Sequence, residues 1–336
     1  MRKQIYVKGI SHVIPNKLLE KDVLKELLLT TVGTKEAFEK RYGANCQYFE
    51  HINFNSKRVL SNEDSFIGLM IQSANLTLEK SMLKAQDIDV ILCAYGGTPM
   101  FSGWLYSAII ANELGVNNAM TRDFSGSCAS ILFAIEYATL LLKKAKAKQI
   151  LIVAGDNLSN YLTKYNISKS KNIPTYGDGV GSFILSSDEI NSVFRLTKLE
   201  IMQDVKFASL FVVERFENTS ALFEKEINAV KTSDMTSFVD EDSKNAYKIV
   251  NKLVGKKNTE QNLIVITGNT GSSRINLINK NYPTFNTYSI FGHVGTADII
   301  LNLCEYGIKY KTYPRKTIVV GWGVGYVWGG FSLLKL

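Results

Sequence analysis

An α/β fold is what this 336-residue sequence predicts, on three observations. Short β-rich apolar runs alternate with helical patterns along the chain. One helical run, ILFAIEYATLLLKK at 131–144, is apolar on nearly every side. A GxGVG sequence followed by an apolar strand pattern occurs twice, closing each half of the chain.

The alternation is clearest from VILCAYG at 90–96, a strand, into YSAIIANELG at 106–115, a helix. The helix over 131–144 leads to the strand QILIVAGD at 149–156. A helix that is apolar all round is buried, so this one is expected between two sheets. The later chain repeats the alternation. QNLIVITGN at 261–269 and KTIVVGWG at 316–323 read as strands, and RINLINK at 274–280 and ADIILNLCEYGIKY at 297–310 as helices. The segment 203–258 mixes acidic and basic clusters with a helical SKNAYKIVNKLVG, and reads as a joining region plus a surface helix.

The echo pairs GDGVGSFIL, Gly177 to Leu185, with GWGVGYVWGGFSL, Gly321 to Leu333. Two copies of one α/β unit would explain it; two unrelated glycine-rich hairpins are the alternative. The expected halves are 1–190 and 191–336. Neither copy leads from a strand into a helix as GxGxxG, so dinucleotide binding is not indicated.

Composition fits a globular protein, with 46% hydrophobic and 21% charged residues. No apolar stretch reaches the roughly 18 residues a membrane span needs, and the basic start meets Gly, Ser and His before a signal-peptide core develops. A cytoplasmic protein without a membrane partner is expected. Four scattered cysteines with no CxxC pair argue against a zinc site or a disulfide framework. The net charge of +8 favours anionic partners, such as an acidic carrier protein or a coenzyme A phosphate. Lys and Arg are spread along the chain, so no nucleic acid is expected.

The chemistry centres on Cys128, in DFSGSCASILFA at 123–134. It stands where a buried helix begins, and a helix N-terminus favours a thiolate. Small neighbours leave room for substrate, and the Cys128 N–H is placed to face an oxyanion. A structural cysteine is the alternative; Cys46, Cys93 and Cys304 lack this setting and read as structural. Of three histidines, His12 and His51 read as surface or supporting residues. His293 lies between two glycines in SIFGHVGTADII, 289–300, with Asp298 five residues on. Asp298 either caps the following helix or orients the imidazole as third member of a Cys/His/Asp set.

Across its whole length the chain resembles the β-ketoacyl-acyl-carrier-protein synthase III (KAS III) family of the thiolase superfamily. GISHVIPN near the start and RYGAN at 41–45 resemble its opening and RTGI segments, and DFSGSCASILFAIEYA its active-site cysteine segment. TYGDGVGSFIL resembles its GDGAGA hairpin, and GWGVGYVWGGFSLL its closing glycine-rich turn. The resemblance implies a five-layer αβαβα thiolase fold of two pseudo-duplicated halves, a homodimer, and Cys128 as acyl-bearing nucleophile. It also implies a CoA or phosphopantetheine thioester as substrate with no permanently bound cofactor or metal.

Two positions depart from the family pattern. Asn269, in GNTGSSR at 268–274, stands where the catalytic His is expected, and His293 where the catalytic Asn is expected. An exchanged pair could still hold a malonyl thioester for decarboxylative condensation. Alternatively His293, oriented by Asp298, is a general base, as in a divergent KAS III-like branch that transfers acyl groups without decarboxylation. This second reading is the leading one, with Asn269 as a polar contact to the acceptor. A non-catalytic partner subunit of a related synthase is the reading from another class.

Val324 takes the place of the glycine whose N–H completes the oxyanion hole with that of Cys128. Arg274 aligns with an arginine associated with carrier docking, and Arg41 with one near the coenzyme A adenine. The adenine-stacking tryptophan is replaced at Ala37, with Phe38 adjacent, which favours an acyl carrier protein over acyl-CoA as donor. Phe101, Trp104 and Tyr161 are candidates to line the acyl pocket.

Overall fold

The structure, a computed structural model, describes residues 3–20, 34, 36, 37, 40, 56–61, 63–97, 103–161, 176–207, 235–255, 262–269, 272–323 and 326–336. In chain order the first strands are β1 (Ile5–Val13), a small antiparallel pair β2 (Leu18–Glu20) and β3 (Ser56–Arg58), β4 (Val90–Tyr95), β5 (Met120–Ser125), β6 (Gln149–Asn157) and β7 (Asp178–Ser186). The later ones are β8 (Phe194–Gln203), β9 (Leu263–Thr267), β10 (Thr284–Phe285), β11 (Lys316–Gly323) and β12 (Val327–Lys335).

Among the described residues ten strands join in the order β10-β9-β11-β12-β8-β1-β7-β6-β4-β5. Cut between β8 and β1, this is one pattern written twice. Numbered in chain order within its half, each set of five runs 3-2-4-5-1 across the sheet. The directions agree as well: strands 2, 3 and 4 are mutually parallel, and strand 5 is antiparallel to both its neighbours. The two GxGVG copies do not sit at equivalent places in this pattern: Gly177–Gly181 runs into β7, strand 5 of its half, whereas Gly321 and Gly323 end β11, strand 4 of its half.

Strands β4, β6, β7, β9 and β11 are buried on both faces, so their residues sort alternately into two cores. On β4, Val90, Leu92 and Ala94 face a central core, while Ile91, Cys93 and Tyr95 face an outer one. The outer core is covered by α1 (Phe66–Ser81) and α2 (Tyr106–Glu113). The central core holds α3 (Ser130–Lys143), and its other wall is the second half's sheet, through Ile264, Ile266, Val319 and Phe331. The second half's outer face is covered by α4 (Met235–Val254) and α5 (Ser272–Asn279). Beyond a short α6 (Tyr288–Phe291), α7 (Asp298–Tyr310) enters the central layer beside α3. The layers are therefore helix, sheet, helix, sheet, helix: the five-layer thiolase fold.

The apolar run over 131–144 is explained by this position, since α3 lies in the central core between the sheets of the two halves, in one cluster with Ile299, Ile300 and Leu303 of α7. The segment 203–258 differs from expectation. The chain passes from β7 to β8 through 187–193, ahead of this segment, and α4 forms part of the outer layer over β9, β11 and β12. Ala246, Ile249, Val250 and Leu253 bury its apolar stripe, while the charged opposite face gives the sequence its surface character. Among the described residues no helix is long and apolar enough to cross a membrane.

Shortening a side chain in the central layer should be costly. Ile135→Ala, at a fully enclosed α3 position, is expected to cost about 2–5 kcal/mol. Ile190→Ala, at a position 73% exposed in the 187–193 link, should stay within about 0.5 kcal/mol. Urea unfolding midpoints of the two variants check this, and equal shifts would contradict the layer assignment.

Candidate active site

Strand β5 delivers the chain to a tight turn just ahead of α3. Gly126 turns with φ +131°, and a short knot of hydrogen bonds fixes the next four residues. Ser130 Oγ donates to the Ser127 carbonyl at 2.7 Å, Ser127 N donates to Ser130 Oγ at 3.1 Å, and Ala129 N to Ser127 Oγ at 3.2 Å. Cys128 sits in this knot, half-buried, two residues before the first residue of α3. Gly323, at the end of β11, packs so close that a Cβ there would lie 2.7 Å from Ala129 N. Only glycine permits that approach. The closing turn of the second half therefore abuts the cysteine turn of the first; Val324 itself lies outside the described residues.

His293 arrives from the second half, on the loop between α6 and α7. Gly177 N donates to the His293 carbonyl at 2.9 Å and Tyr176 forms a bridge with it, so the first half's glycine hairpin pins the loop. His293 Nε2 lies 3.0 Å from Cys128 Sγ, and Nδ1 lies 2.7 Å from Asp298 Oδ2. A carboxylate can only accept, so Nδ1 carries the proton and Nε2 faces the sulfur.

Asp298 is the first residue of α7, and its side chain turns back rather than capping the helix. Besides the imidazole it accepts Val294 N at 2.7 Å and Asn269 N at 2.8 Å. Burial works against the imidazolium, but the Asp298 carboxylate and the Cys128 sulfur outweigh it and hold His293 well above the usual histidine range. The arrangement suits a thiolate–imidazolium pair: a nucleophile, a proton carrier, and a carboxylate that orients it.

Cys93 and Cys304 are enclosed, and burial drives both thiols up, Cys304 to about 12. Neither is suited to nucleophilic work. Among the described residues no cluster of three His, Cys, Asp or Glu side chains could hold a metal ion.

The other expected residues are placed differently. The Asn269 side chain is fully buried and its amide is saturated within the second half. It donates to the Gly292 carbonyl at 2.8 Å and Thr287 Oγ1 at 3.3 Å, and accepts Asn302 Nδ2 at 2.8 Å and Thr287 N at 3.2 Å. Asn269 thus braces the loop that carries His293. Arg274 is paired with Asp242, which also accepts Trp328 Nε1 at 2.7 Å, and its guanidinium lies 5.1 Å from the Trp322 ring centroid. The guanidinium is thus held by an acid and a ring of its own half. His12 pairs with Glu305 at 2.9 Å, and Trp104 is 39% exposed. Arg41, Cys46, His51, Phe38, Phe101 and the Tyr161 side chain fall outside what is described.

Thr287, Asn302 and Asp156 support the site but do not stand out in the sequence. Thr287 and Asn302 carry no motif. Asp156 reads there as the polar end of a strand.

Comparison with known proteins gives a consistent result. The family described as 3-oxoacyl-[acyl-carrier-protein] synthase III matches residues 122–204, the stretch that contains Cys128. A β-ketoacyl-[acyl-carrier-protein] synthase III of Clostridium perfringens is 26% identical over 184 residues, 54% of this chain and 50% of the relative. In another strain of that organism the match is 23% over 344 residues, 98% of each chain. The chain spans about half the length of the first of these relatives. Among solved structures, a 3-oxoacyl-[acyl-carrier-protein] synthase III of Aquifex aeolicus superposes with a TM-score of 0.75 at 18% identity, covering 98% of this chain and 99% of that one. A variant of Xanthomonas campestris OleA with bound lauric acid and lauroyl-CoA superposes with a TM-score of 0.78 at 14% identity, covering 99% and 100%. These structural likenesses are of fold.

The raised proton affinity of His293 is open to direct observation. With three histidines in the chain, ¹³C-histidine NMR should find one imidazole still protonated above the ordinary midpoint of about 6.5. Asp298→Asn should bring that midpoint down by about one pH unit or more. A His293 midpoint at or below 6.5 in the unaltered protein would contradict the ion-pair geometry.

Proposed function

We propose that this KAS III-like protein of the thiolase superfamily is an acyltransferase that carries its acyl group on Cys128. The observation that supports this reading is the continuous chain from Cys128 Sγ through His293 to Asp298. Cys128 sulfur attacks the carbonyl of an acyl thioester, and the developing oxyanion is held by the backbone N–H groups of Cys128 and Val324. As the intermediate collapses, the C–S bond to the donor breaks. The departing thiolate takes the proton from His293 Nε2 and leaves as coenzyme A or phosphopantetheine thiol.

The second half-reaction reverses the proton's path. His293 Nε2, now neutral, takes a proton from an acceptor's hydroxyl, amine or thiol, and that group attacks the acyl-Cys128 carbonyl. Release of the product leaves the proton on His293 and regenerates the thiolate. Asp298 keeps Nδ1 protonated throughout and stabilises the imidazolium. The donor is an acyl-CoA or, favoured by the positive charge and the missing adenine-stacking tryptophan, an acyl carrier protein. The setting is a specialised fatty-acid or polyketide-type pathway in the cytoplasm.

Decarboxylative condensation would need Asn269 and His293 as a pair of donors to one thioester carbonyl. The saturated amide of Asn269 weighs against that pairing. The intact Cys–His–Asp chain weighs against a non-catalytic subunit. Among the described residues strand β5 has β4 alone as a neighbour in the sheet, and a homodimer would cover this edge.

Thiol release tests the reading. With an accepted acyl thioester and no acceptor, the protein should release a burst of about one thiol per chain, absent in Cys128→Ala. His293→Ala should slow the burst by about 10²–10⁴-fold. Carbon dioxide and a β-keto product on adding a malonyl thioester would replace this reading with condensation. No burst from any CoA or carrier thioester would favour the partner subunit.

A further inference from the structure

Asp156, at the end of β6, is 3% exposed and has no place in the chemistry so far. Its carboxylate joins segments from both halves. Oδ1 accepts Gly96 N at 2.7 Å and Gly97 N at 3.3 Å, where the chain leaves β4. Oδ2 accepts Thr296 N at 2.7 Å and Thr296 Oγ1 at 3.0 Å, three residues beyond His293. Donors thus converge on both oxygens, and no cation is among them.

The surroundings are shaped around this carboxylate. Gly295 has φ +66°, and a Cβ there would fall 2.1 Å from Asp156 Oδ2. A Cβ on Gly96 would stand 3.3 Å from the same oxygen and 3.4 Å from Cys128 N. The carboxylate therefore lies one residue's thickness from the cysteine turn on one side and grips the histidine loop on the other. Burial pushes Asp156 up to about 6, while the Thr296 and Gly96 N–H groups and the His293 imidazolium draw it back down.

We propose that Asp156 is a positioning residue: it clamps the 292–298 loop to the end of β4 so that His293 meets Cys128, and its charge is a second counter-ion for the imidazolium. The groups that bear on His293 are Cys128 from the turn before α3, Asp298 from α7 and Asp156 from β6, with the Tyr176 ring centroid 6.2 Å away. Asp298 orients the ring directly, and Asp156 acts through the backbone and through space. An asparagine of the same size cannot replace it. Its NH₂ would have to face either the Gly96 or the Thr296 N–H, leaving that donor without an acceptor.

This inference rests on Cys128 as the reactive thiol, and its test needs no acyl donor. The rate of iodoacetamide alkylation at Cys128 would be followed from pH 5 to 9 by peptide mass, beside melting curves. Folded Asp156→Asn should alkylate about tenfold more slowly at pH 7, and its His293 imidazole, followed by ¹³C-histidine NMR, should lose its proton at a midpoint about one pH unit lower. Gly295→Ala keeps the charge but pushes a methyl into the carboxylate, and should slow alkylation without moving the midpoint. It decides the clamp if Asp156→Asn fails to fold. A folded Asp156→Asn with an unmoved midpoint overturns the counter-ion role, and a wild-type rate in folded Gly295→Ala overturns the clamp. Loss of folding in both variants would also overturn the proposal, since Asp156 would then serve the fold as a whole. An unaltered protein whose Cys128 resists alkylation across the range would instead remove the acyltransferase reading.

Discussion

A buried carboxylate with three donors aimed at it is the constraint on which the site depends. Asp298 receives the imidazole of His293, the N–H of Val294 and the N–H of Asn269. An isolated carboxylate is costly to bury. The same arrangement that satisfies this one also fixes which histidine nitrogen is protonated and where the other points. Removing any of its donors leaves charge or polarity uncompensated inside the protein. The bonds that compensate the buried charge and the bond that orients the imidazole therefore meet at one residue.

Duplication explains how two distant parts of the chain come to face one another. In the first half, strand 3 is β5, and the chain leaving it turns through Cys128 into central helix α3. In the second, strand 3 is β10, and the chain leaving it passes through His293 into central helix α7. Cys128 and His293 thus occupy corresponding places ahead of corresponding helices, whose apolar residues share the central core. Strand 2 is followed by Gly96–Gly97 in one half and by Gly268–Asn269 in the other, and both segments donate backbone N–H groups to buried carboxylates. A pseudo-symmetric scaffold carries an asymmetric pair of side chains, a thiol from one half and an imidazole from the other.

Much of the fold was legible because doubly buried strands leave continuous apolar runs. β4, β6, β9 and β11 stand out in the sequence for that reason, and so does α3. Strand β5, MTRDFS, is the last strand of the sheet among the described residues, and β8, FRLTKLEIMQ, alternates apolar with charged residues. Neither shows the signal of a buried strand. Cys128 and His293 were legible through the small residues around them. The role of Asp298 was not decided locally, because a helix-capping acid and an imidazole partner have the same sequence; only the tertiary contact separates them. Asn269 and Asp156 were harder still. The Asn269 amide is spent on Thr287, Gly292 and Asn302, and Asp156 meets Thr296 from 140 residues away. Long-range hydrogen bonds of this kind leave no periodicity to read.

The central claim is that the Cys128 sulfur carries an acyl group. The most direct test is the mass of the intact protein, acid-quenched after exposure to acyl-CoA and acyl-carrier thioesters of varied chain length. The account predicts a single adduct of one acyl group, mapping to the peptide that contains Cys128 and absent when that residue is alanine. An adduct on another side chain, or none with any donor, would contradict it.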